Sequence, residues 1–345
     1  MHEDEGAMQE RALSPAAVVM QMNNTIVPHL LYVVVELGIA DLLATKPQTA
    51  DELAQATGAH APALFRMLRG LASYGLFTLD SEQRFGLTPL GEVLRADHPE
   101  SLASNILYVN HPETQRMLGD SLNAIMTGQQ AFAHLLGTDA FSYYRDHPEV
   151  GHRFNQFMSD QFNQDVASVV ACYDFQPYRH VVDVGGGIGS FIVAILRANP
   201  HMQGTLFDVP YSALAAQQAL GDAELADRCR FVAGDFFQAV PAGGDIYTLK
   251  NVVHDWGDEQ AIALLRACHA AMQPGSTLLL IENVFPDQGV PTPYLAIFDL
   301  VMLTLYGGHE RTAQQYRDLL AAAGFQVVRI IPTHTAVSII EAQLP

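Results

Sequence analysis

Basic side chains are scarce in this sequence. Lys and Arg number 18 against 37 Asp and Glu, for a formal net charge of −19. Phosphate backbones are held by Lys and Arg, so the deficit argues against a nucleic-acid partner and, equally, against an anionic membrane surface. Cysteine is also scarce. Cys172, Cys229 and Cys268 are far apart and odd in number, which gives neither a disulfide framework nor a metal-ligand spacing and fits a reducing compartment. The histidines, His29, His98 and His111 among them, show no metal spacing either, and no metal is expected. Long apolar runs are missing too. The most apolar early stretch, residues 26–44, is interrupted by Pro28, His29, Glu36 and Asp41 and is not expected to span a bilayer. The acidic start Met-His-Glu-Asp-Glu does not read as a secretory signal, and residues 1–13 read as a frayed tail. A cytoplasmic protein is expected.

At 345 residues with 49% apolar side chains, the chain is long enough for more than one domain. Ser14-Pro15 is a helix start, a capping hydroxyl followed by proline. The apolar stretch after it, Ala16–Ala44, reads as helix with a break near Asn23-Asn24 and Pro28. It is either an ordinary core helix or a dimer interface. Thr49 opens a short helix, Pro62–Gly75 forms a second with Leu64, Met67, Leu68 and Leu71 on one face, and 77–79 with 84–87 form a small hairpin around Asp80–Gln83. That pattern is a winged helix. Its recognition helix offers only Arg66 and Arg69, so it reads as a packing module, not a DNA reader.

Residues 88–166 read as mostly helical and rich in Met and aromatics. Most of Met117, Met126, Phe132, Phe141, Tyr143, Tyr144, Phe154, Phe157, Met158 and Phe162 are expected in the core, with a minority lining a pocket for an aromatic acceptor. From Tyr173-Asp174 onward, apolar strands alternate with helices: 180–185, 204–208, 230–234, 245–252, 276–283, 325–332 and 336–342. Alternation predicts a parallel sheet with helices on both faces. The three-residue link 333–335 makes the last two strands a hairpin, so one of them runs antiparallel to its neighbour.

Ligands of such sheets bind at the carboxyl ends of the strands, and there the polar residues fall. The first strand ends at the turn Gly185-Gly186-Gly187-Ile188-Gly189, the next two at Asp208 and Asp235, the fourth at Lys250 and then His254-Asp255-Trp256, the fifth at Glu282. Read from Gly185, the sixth position of the dinucleotide fingerprint is Ser190 instead of glycine, which weakens the case for a pyrophosphate. Asp208, nineteen residues beyond Gly189, has the spacing of an acid that accepts hydrogen bonds from ribose hydroxyls. A nucleoside without pyrophosphate fits best, with S-adenosylmethionine the obvious one.

In combination these motifs, with Phe207-Asp208-Val209-Pro210, Gly234-Asp235-Phe236-Phe237, Ile281-Glu282 and Gly307-Gly308-His309-Glu310-Arg311-Thr312, resemble the class I S-adenosylmethionine-dependent O-methyltransferases of the plant caffeate and bacterial polyketide or phenazine type. The resemblance runs from about Pro15 to Ala342. It implies an α/β chain with a Rossmann-like seven-stranded sheet and an N-terminal winged-helix dimerisation domain that forms a homodimer. The division it implies is 1–100 for dimerisation, 101–166 as a helical connection contributing to the substrate pocket, and 167–345 for cofactor binding and catalysis. By resemblance, Gly185 and Gly187 would lie under the homocysteine part of the cofactor, Asp208 would take the ribose, Val209, Asp235 and Phe236 the adenine, and Lys250 and Met158 would also approach it. His254 matches the family's general base, and Glu282 and Glu310 the acids that orient it. Trp256 and Met302 would line the acceptor pocket. Phe162 stands where plant members carry a small hydroxyl residue near the cofactor, which puts that contact in doubt.

The residues also admit plainer readings. His254 can be a helix-start residue held by Asp255, Glu282 and Glu310 can be structural carboxylates, Glu310 and Arg311 can simply pair with each other, and His309 reads as a surface residue. Functionally, O-methylation of a hydroxylated aromatic small molecule stands beside N-methylation of a heteroaromatic ring. A relative repurposed for hydroxylation, decarboxylation or pericyclic chemistry is the other reading.

Overall fold

A computed structural model describes residues 14–344, so the expected tail at residues 1–13 lies outside the described residues. The chain divides into two compact units, with the boundary between Asn110 and His111.

In the first unit Ser14 caps helix Pro15–Met22 by accepting from the Ala17 amide. Helices Ile26–Glu36 and Ile39–Leu43 follow. The break expected near Asn23 is present, but Pro28 causes none. It sits in the first turn of its helix, where no intrahelical N–H is needed. Residues 15–36 form the one stretch among the described residues with the length and apolarity of a membrane span, although helix is interrupted between Met22 and Ile26. Val19, Met20, Met22 and Ile26 are all more than half exposed on it.

Thr49 and Glu52 form a reciprocal capping box at the head of helix Ala50–Thr57. Helix Ala61–Ala72 buries Leu64, Leu68 and Leu71, the expected face except that Met67 is only half-buried. Strands Phe77–Leu79 and Arg84–Leu87 pair antiparallel as expected, with Asp80 Oδ1 accepting the Glu82 and Arg84 amides across the turn. Gln48–Thr49 adds a third, unexpected strand against Arg84 and Phe85. Two residues are too short a run to leave a period in the sequence.

The second unit opens with six helices between Pro112 and Cys172. Seven main strands follow: β1 His180–Val184, β2 Gln203–Asp208, β3 Cys229–Ala233, β4 Ile246–Lys250, β5 Thr277–Phe285, β6 Gln326–Pro332 and β7 Val337–Gln343. They lie in the order β6-β7-β5-β4-β1-β2-β3. All neighbours from β5 to β3 are parallel, and β7 runs antiparallel to both β5 and β6. An eighth strand of two residues, Arg311–Thr312, extends β5 alongside Val284 and Phe285. This is the Rossmann-like sheet that the alternation of elements predicts.

Both faces of the sheet are buried. Val182, Val184, Tyr247, Leu249, Leu278 and Leu280 belong to one apolar cluster, while Val181, Ile246, Leu279 and Ile281 belong to another. Successive side chains of each strand point to opposite faces, so the strands read as continuous apolar runs. Local capping should be separable from this core. Thr49→Ala is expected to cost about 1 kcal/mol of stability, read as a lower urea midpoint with unchanged slope.

Candidate active site

The carboxyl ends of β1 to β5 carry the site. Between β1 and helix Ser190–Ala198 the chain turns through Gly185, Gly187 and Gly189, at φ of +70°, +58° and +92°, a region that costs glycine nothing. A Cβ on Gly186 would lie 2.4 Å from Asp183 Oδ2, and one on Gly185 2.9 Å from Val252, whereas one on Gly187 would meet nothing within 4 Å. Gly187 therefore presents bare backbone to open space.

Asp208, at the end of β2, is fixed by three donors. Its Oδ2 accepts from the Gly187 amide at 2.7 Å, and Oδ1 from the Val209 amide at 2.8 Å and Ser212 Oγ at 2.9 Å. Burial pushes its pKa up against those bonds. Each carboxylate oxygen has two acceptor lone pairs, so one remains, on Oδ2, for a further hydroxyl. Asp183, two residues before the turn, is 1% exposed. Its Oδ1 accepts from Thr248 Oγ1 at 2.7 Å, while Oδ2 finds no partner among the described residues. Burial raises its pKa to about 6. Lys250 is shifted down by burial, which outweighs the attraction of Asp165, Asp183 and Glu282. Its Nζ sits 4.8 Å over the Phe162 ring, so the residue that departs from the plant pattern supplies a cation–π contact.

These residues surround one cavity of about 480 Å³. Met158, Gly185, Gly187, Asp208, Val209, Asp235, Phe236, Lys250 and Trp256 all line it. Five aspartates, Asp139, Asp183, Asp208, Asp235 and Asp255, face it against two basic residues, Arg145 and Lys250, a balance that favours a cationic guest. Of the aromatic and Met residues in 88–166, Phe141, Phe154 and Met158 line the cavity. Phe132, Tyr144, Phe157 and Phe162 are core, and Met126 is exposed. Phe141 stacks on both Trp256 and Tyr306, with centroids 5.3 and 5.6 Å away.

His254, Glu282, Glu310 and Met302 lie outside the lining of that cavity. They are all 4% exposed or less. After β4, Asn251 adopts φ +54°, and a single 3-10 turn, Val253–Asp255, carries the loop onward. His254 Nδ1 lies 2.9 Å from Glu310 Oε1 and 3.5 Å from Glu282 Oε2, and its Nε2 lies 3.6 Å from Asp255 Oδ1. The glutamates are held in turn. Glu282 Oε1 accepts the Val252 and Val253 amides, and Glu310 Oε1 accepts from Asn283 Nδ2. Burial by itself would lower the His254 pKa, but Glu282, Glu310 and Asp255 raise it to about 10. Burial raises Asp255 to about 7 and pushes Glu282 up as well. Protons therefore belong to the cluster more than to any one member. Arg311 is not the partner of Glu310. It binds Asp258 Oδ1 at 2.8 Å. His309 is half-buried, with Nε2 3.5 Å from the same oxygen.

Residues 116–326 match the O-methyltransferase domain family, and residues 19–97 the O-methyltransferase dimerisation domain. The chain belongs to the O-methyltransferase family. It is 43% identical to the phenazine O-methyltransferase PhzM of Lysobacter antibioticus, over 91% of each chain. The crystal structure of LaPhzM has a TM-score of 0.92 at 41% identity, covering 96% of this chain and 100% of that one. An O-methyltransferase from neocarzinostatin biosynthesis, in complex with S-adenosylmethionine and 2-hydroxy-5-methyl naphthoic acid, has a TM-score of 0.83 at 34% identity, covering 97% of this chain and 100% of that one.

In this O-methyltransferase the sequence reading passed over Asp183 and Asp255 as site residues, although both were in plain view. An acid inside an otherwise apolar strand, and an acid beside a buried histidine, are each costly unless they serve a site. The cluster has a consequence for stability. His254, with a folded pKa near 10 against an ordinary 6.5, binds its proton more tightly when folded. That stabilisation is complete below about 6.5 and is lost as pH rises through 10. His254→Gln should flatten the fall in unfolding free energy between pH 7 and 10, measured by urea titration. A wild-type slope in the variant would contradict the assignment.

Proposed function

We propose that this protein transfers the methyl group of S-adenosylmethionine to a hydroxyl of an aromatic small molecule of secondary metabolism, with His254 as general base. Family membership supports methyl transfer, and the observation that carries the base is the His254 Nδ1–Glu310 Oε1 contact of 2.9 Å in a buried acid cluster. Glu310 and Glu282 hold Nδ1 and so leave Nε2 as the nitrogen for an acceptor's proton.

The cavity suits the cofactor. Bare backbone at Gly187 admits close approach, Asp208 Oδ2 retains an acceptor site for a ribose hydroxyl, and the unpartnered Asp183 Oδ2 and the acidic lining suit a cation. Phe236, Asp235 and Val209 would hold the adenine, and Gly185, Met158 and Lys250 the homocysteine end. When bound, the cofactor supplies a methyl group already activated by its sulfonium. The protein's part is mainly alignment, since orientation is worth effective molarities of about 10⁵–10⁸ M against about 10²–10⁴-fold for a general base. Trp256 and the Phe141–Phe154 aromatics would favour a flat aromatic acceptor, and the neocarzinostatin relative is in complex with 2-hydroxy-5-methyl naphthoic acid. Met302 is offered as part of the acceptor side through its place on the buried turn before Glu310.

A homodimer fits the matched dimerisation domain and the exposed apolar residues Val19, Met20, Met22 and Ile26. Neither nucleic acid nor membrane is a partner in this reading, in keeping with a net charge of −19.

The test is mass spectrometry of a panel of phenols and heteroaromatic amines incubated with enzyme and S-adenosylmethionine. A gain of one methyl on oxygen supports the reading. Methylation confined to ring nitrogen, or products with no added methyl, would replace it. His254→Ala should retain cofactor affinity and lose turnover by about 10²–10⁴-fold. The wild-type rate should climb with pH as the cluster gives up its proton, and the variant should lose that dependence. Asp208→Ala should weaken the cofactor by about 10-fold or more, since charged hydrogen bonds are worth about 1.5–3 kcal/mol. An unchanged dissociation constant by calorimetry would refute the ribose assignment.

A further inference from the structure

The Gly307–Thr312 motif contains more than Glu310. Gly307, at φ +77°, ends the π-helical turn Met302–Tyr306, and Thr312 caps helix Ala313–Ala322. Between them the strand meshes with the loop that carries His254. A Cβ on Gly308 would lie 2.0 Å from the His254 carbonyl oxygen and 2.4 Å from the Asp255 carbonyl carbon, so the two backbones touch there and only glycine fits. Three residues on, the Arg311 side chain is 1% exposed. It donates to the Val253 carbonyl from one terminal nitrogen at 3.2 Å, to the Trp256 carbonyl from the other at 2.8 Å, and to Asp258 Oδ1 from Nε and a terminal nitrogen at 3.0 and 2.8 Å. The first terminal nitrogen also reaches the His309 carbonyl at 3.4 Å.

We infer that Arg311 is a positioning residue for the reaction, its guanidinium tying the segment that carries Glu310 to the two carbonyls that bracket His254. The geometry leaves few alternatives. Val253 and Trp256 stand on either side of the His254-Asp255 pair, and Arg311 follows Glu310 directly in the chain. The Glu310 amide is anchored from the other side by Asp299 Oδ1 at 2.7 Å. His254 Nδ1 and Glu310 Oε1 are thus held at 2.9 Å by two segments that Arg311 and Gly308 fix in register. A slip of about 1 Å would take that pair beyond hydrogen-bond reach. The ion pair with Asp258 contributes little by itself, because the Asp258 side chain is 65% exposed. Its use is to orient the fork, whose planar donors reach several acceptors at once as an ammonium cannot. Through the same contacts Arg311 sets Trp256, which lines the cavity.

The inference rests on His254 being the base only for its link to rate. The position of His254 can be read directly. His254 is faced by Asp255, Glu282 and Glu310. Tyr316 lies near the two glutamates and near Arg311, and Lys250 near Glu282. The experiment follows the histidine carbon resonance that disappears in His254→Gln, titrated by NMR in full-length wild type, Arg311→Lys and Asp258→Asn. Arg311→Lys keeps the charge and loses the fork. Asp258→Asn changes a largely exposed side chain and carries the test if the lysine variant does not fold. In both, the resonance should titrate lower by about 1 unit or more, as expected when a histidine loses a neighbouring carboxylate. Calorimetric affinity for S-adenosylmethionine should be unchanged, and kcat on any phenol methylated by the wild type should fall with little change in KM. Replacing Arg311 by Met should shift the resonance at least as far. A resonance that titrates where the wild type's does, whatever the melting temperature, would overturn the positioning role. Full turnover in His254→Ala together with shifted titrations in the Arg311 and Asp258 variants would remove the base reading and support the positioning one.

Discussion

A parallel sheet covered by helices on both faces has no room for polar side chains along its strands. The strands β1, β2, β4 and β5 are buried above and below, and an unpaired polar group placed there costs several kcal/mol, about 2–7 depending on the reference state. Polar chemistry is therefore driven to the strand ends, and the parallel direction brings the carboxyl ends together on one edge. An acid near the end of a strand illustrates the rule. Asp183 is tolerated within β1 because it lies one residue from the end and its Oδ1 is matched by Thr248 in register on β4. The rest of its charge is left toward the cavity.

The same constraint divides the site in two. The loop after β4 turns sharply at Asn251 and then divides its residues between two sides. Asp255 and Trp256 line the cavity, while His254 is turned toward Glu282 and Glu310. A buried imidazole between carboxylates is held protonated, and buried carboxylates are pushed toward neutrality. Neither tendency can be satisfied for His254, Asp255 and Glu282 at once, so they must share protons. Such a cluster suits proton transfer better than structure. A structural role would be served at lower cost by apolar packing.

Most of the frame is legible in the sequence because it depends on periodicities. The strands of the second unit start and stop within a few residues of their apolar runs, and the four-residue link before Val337 makes β6 and β7 antiparallel. The wing is legible because Asp80 and its neighbours are turn formers between short apolar segments. What escapes has no period. Gln48–Thr49 and Arg311–Thr312 are two-residue strands defined only by what they lie beside. Pro28, which suggests a break, is harmless because of its position in the first turn. In the site, residue types at strand ends are readable, and Met158, Gly185, Asp208, Asp235, Lys250 and Trp256 do surround one cavity. Which side of a loop a residue faces is not readable. His254 and Trp256 are two positions apart, yet one lies behind the cavity wall and the other forms it.

That difference bears on how the motif at 307–312 should be understood. Read as a string, it suggests an acid and a base pairing with each other. In three dimensions Glu310, just before the two-residue strand, and Arg311, its first residue, diverge. Glu310 turns to His254, and Arg311 turns to the backbone on both sides of that histidine. The glycine two residues before Glu310 has no side chain because the histidine's own carbonyl occupies the space. Steric fit, a buried charge and a hydrogen bond thus act on the same loop from positions 308, 311 and 310 of a segment with only two residues of strand. The orientation of the histidine is set by what lies across from it, and the local sequence around His254 carries none of that information.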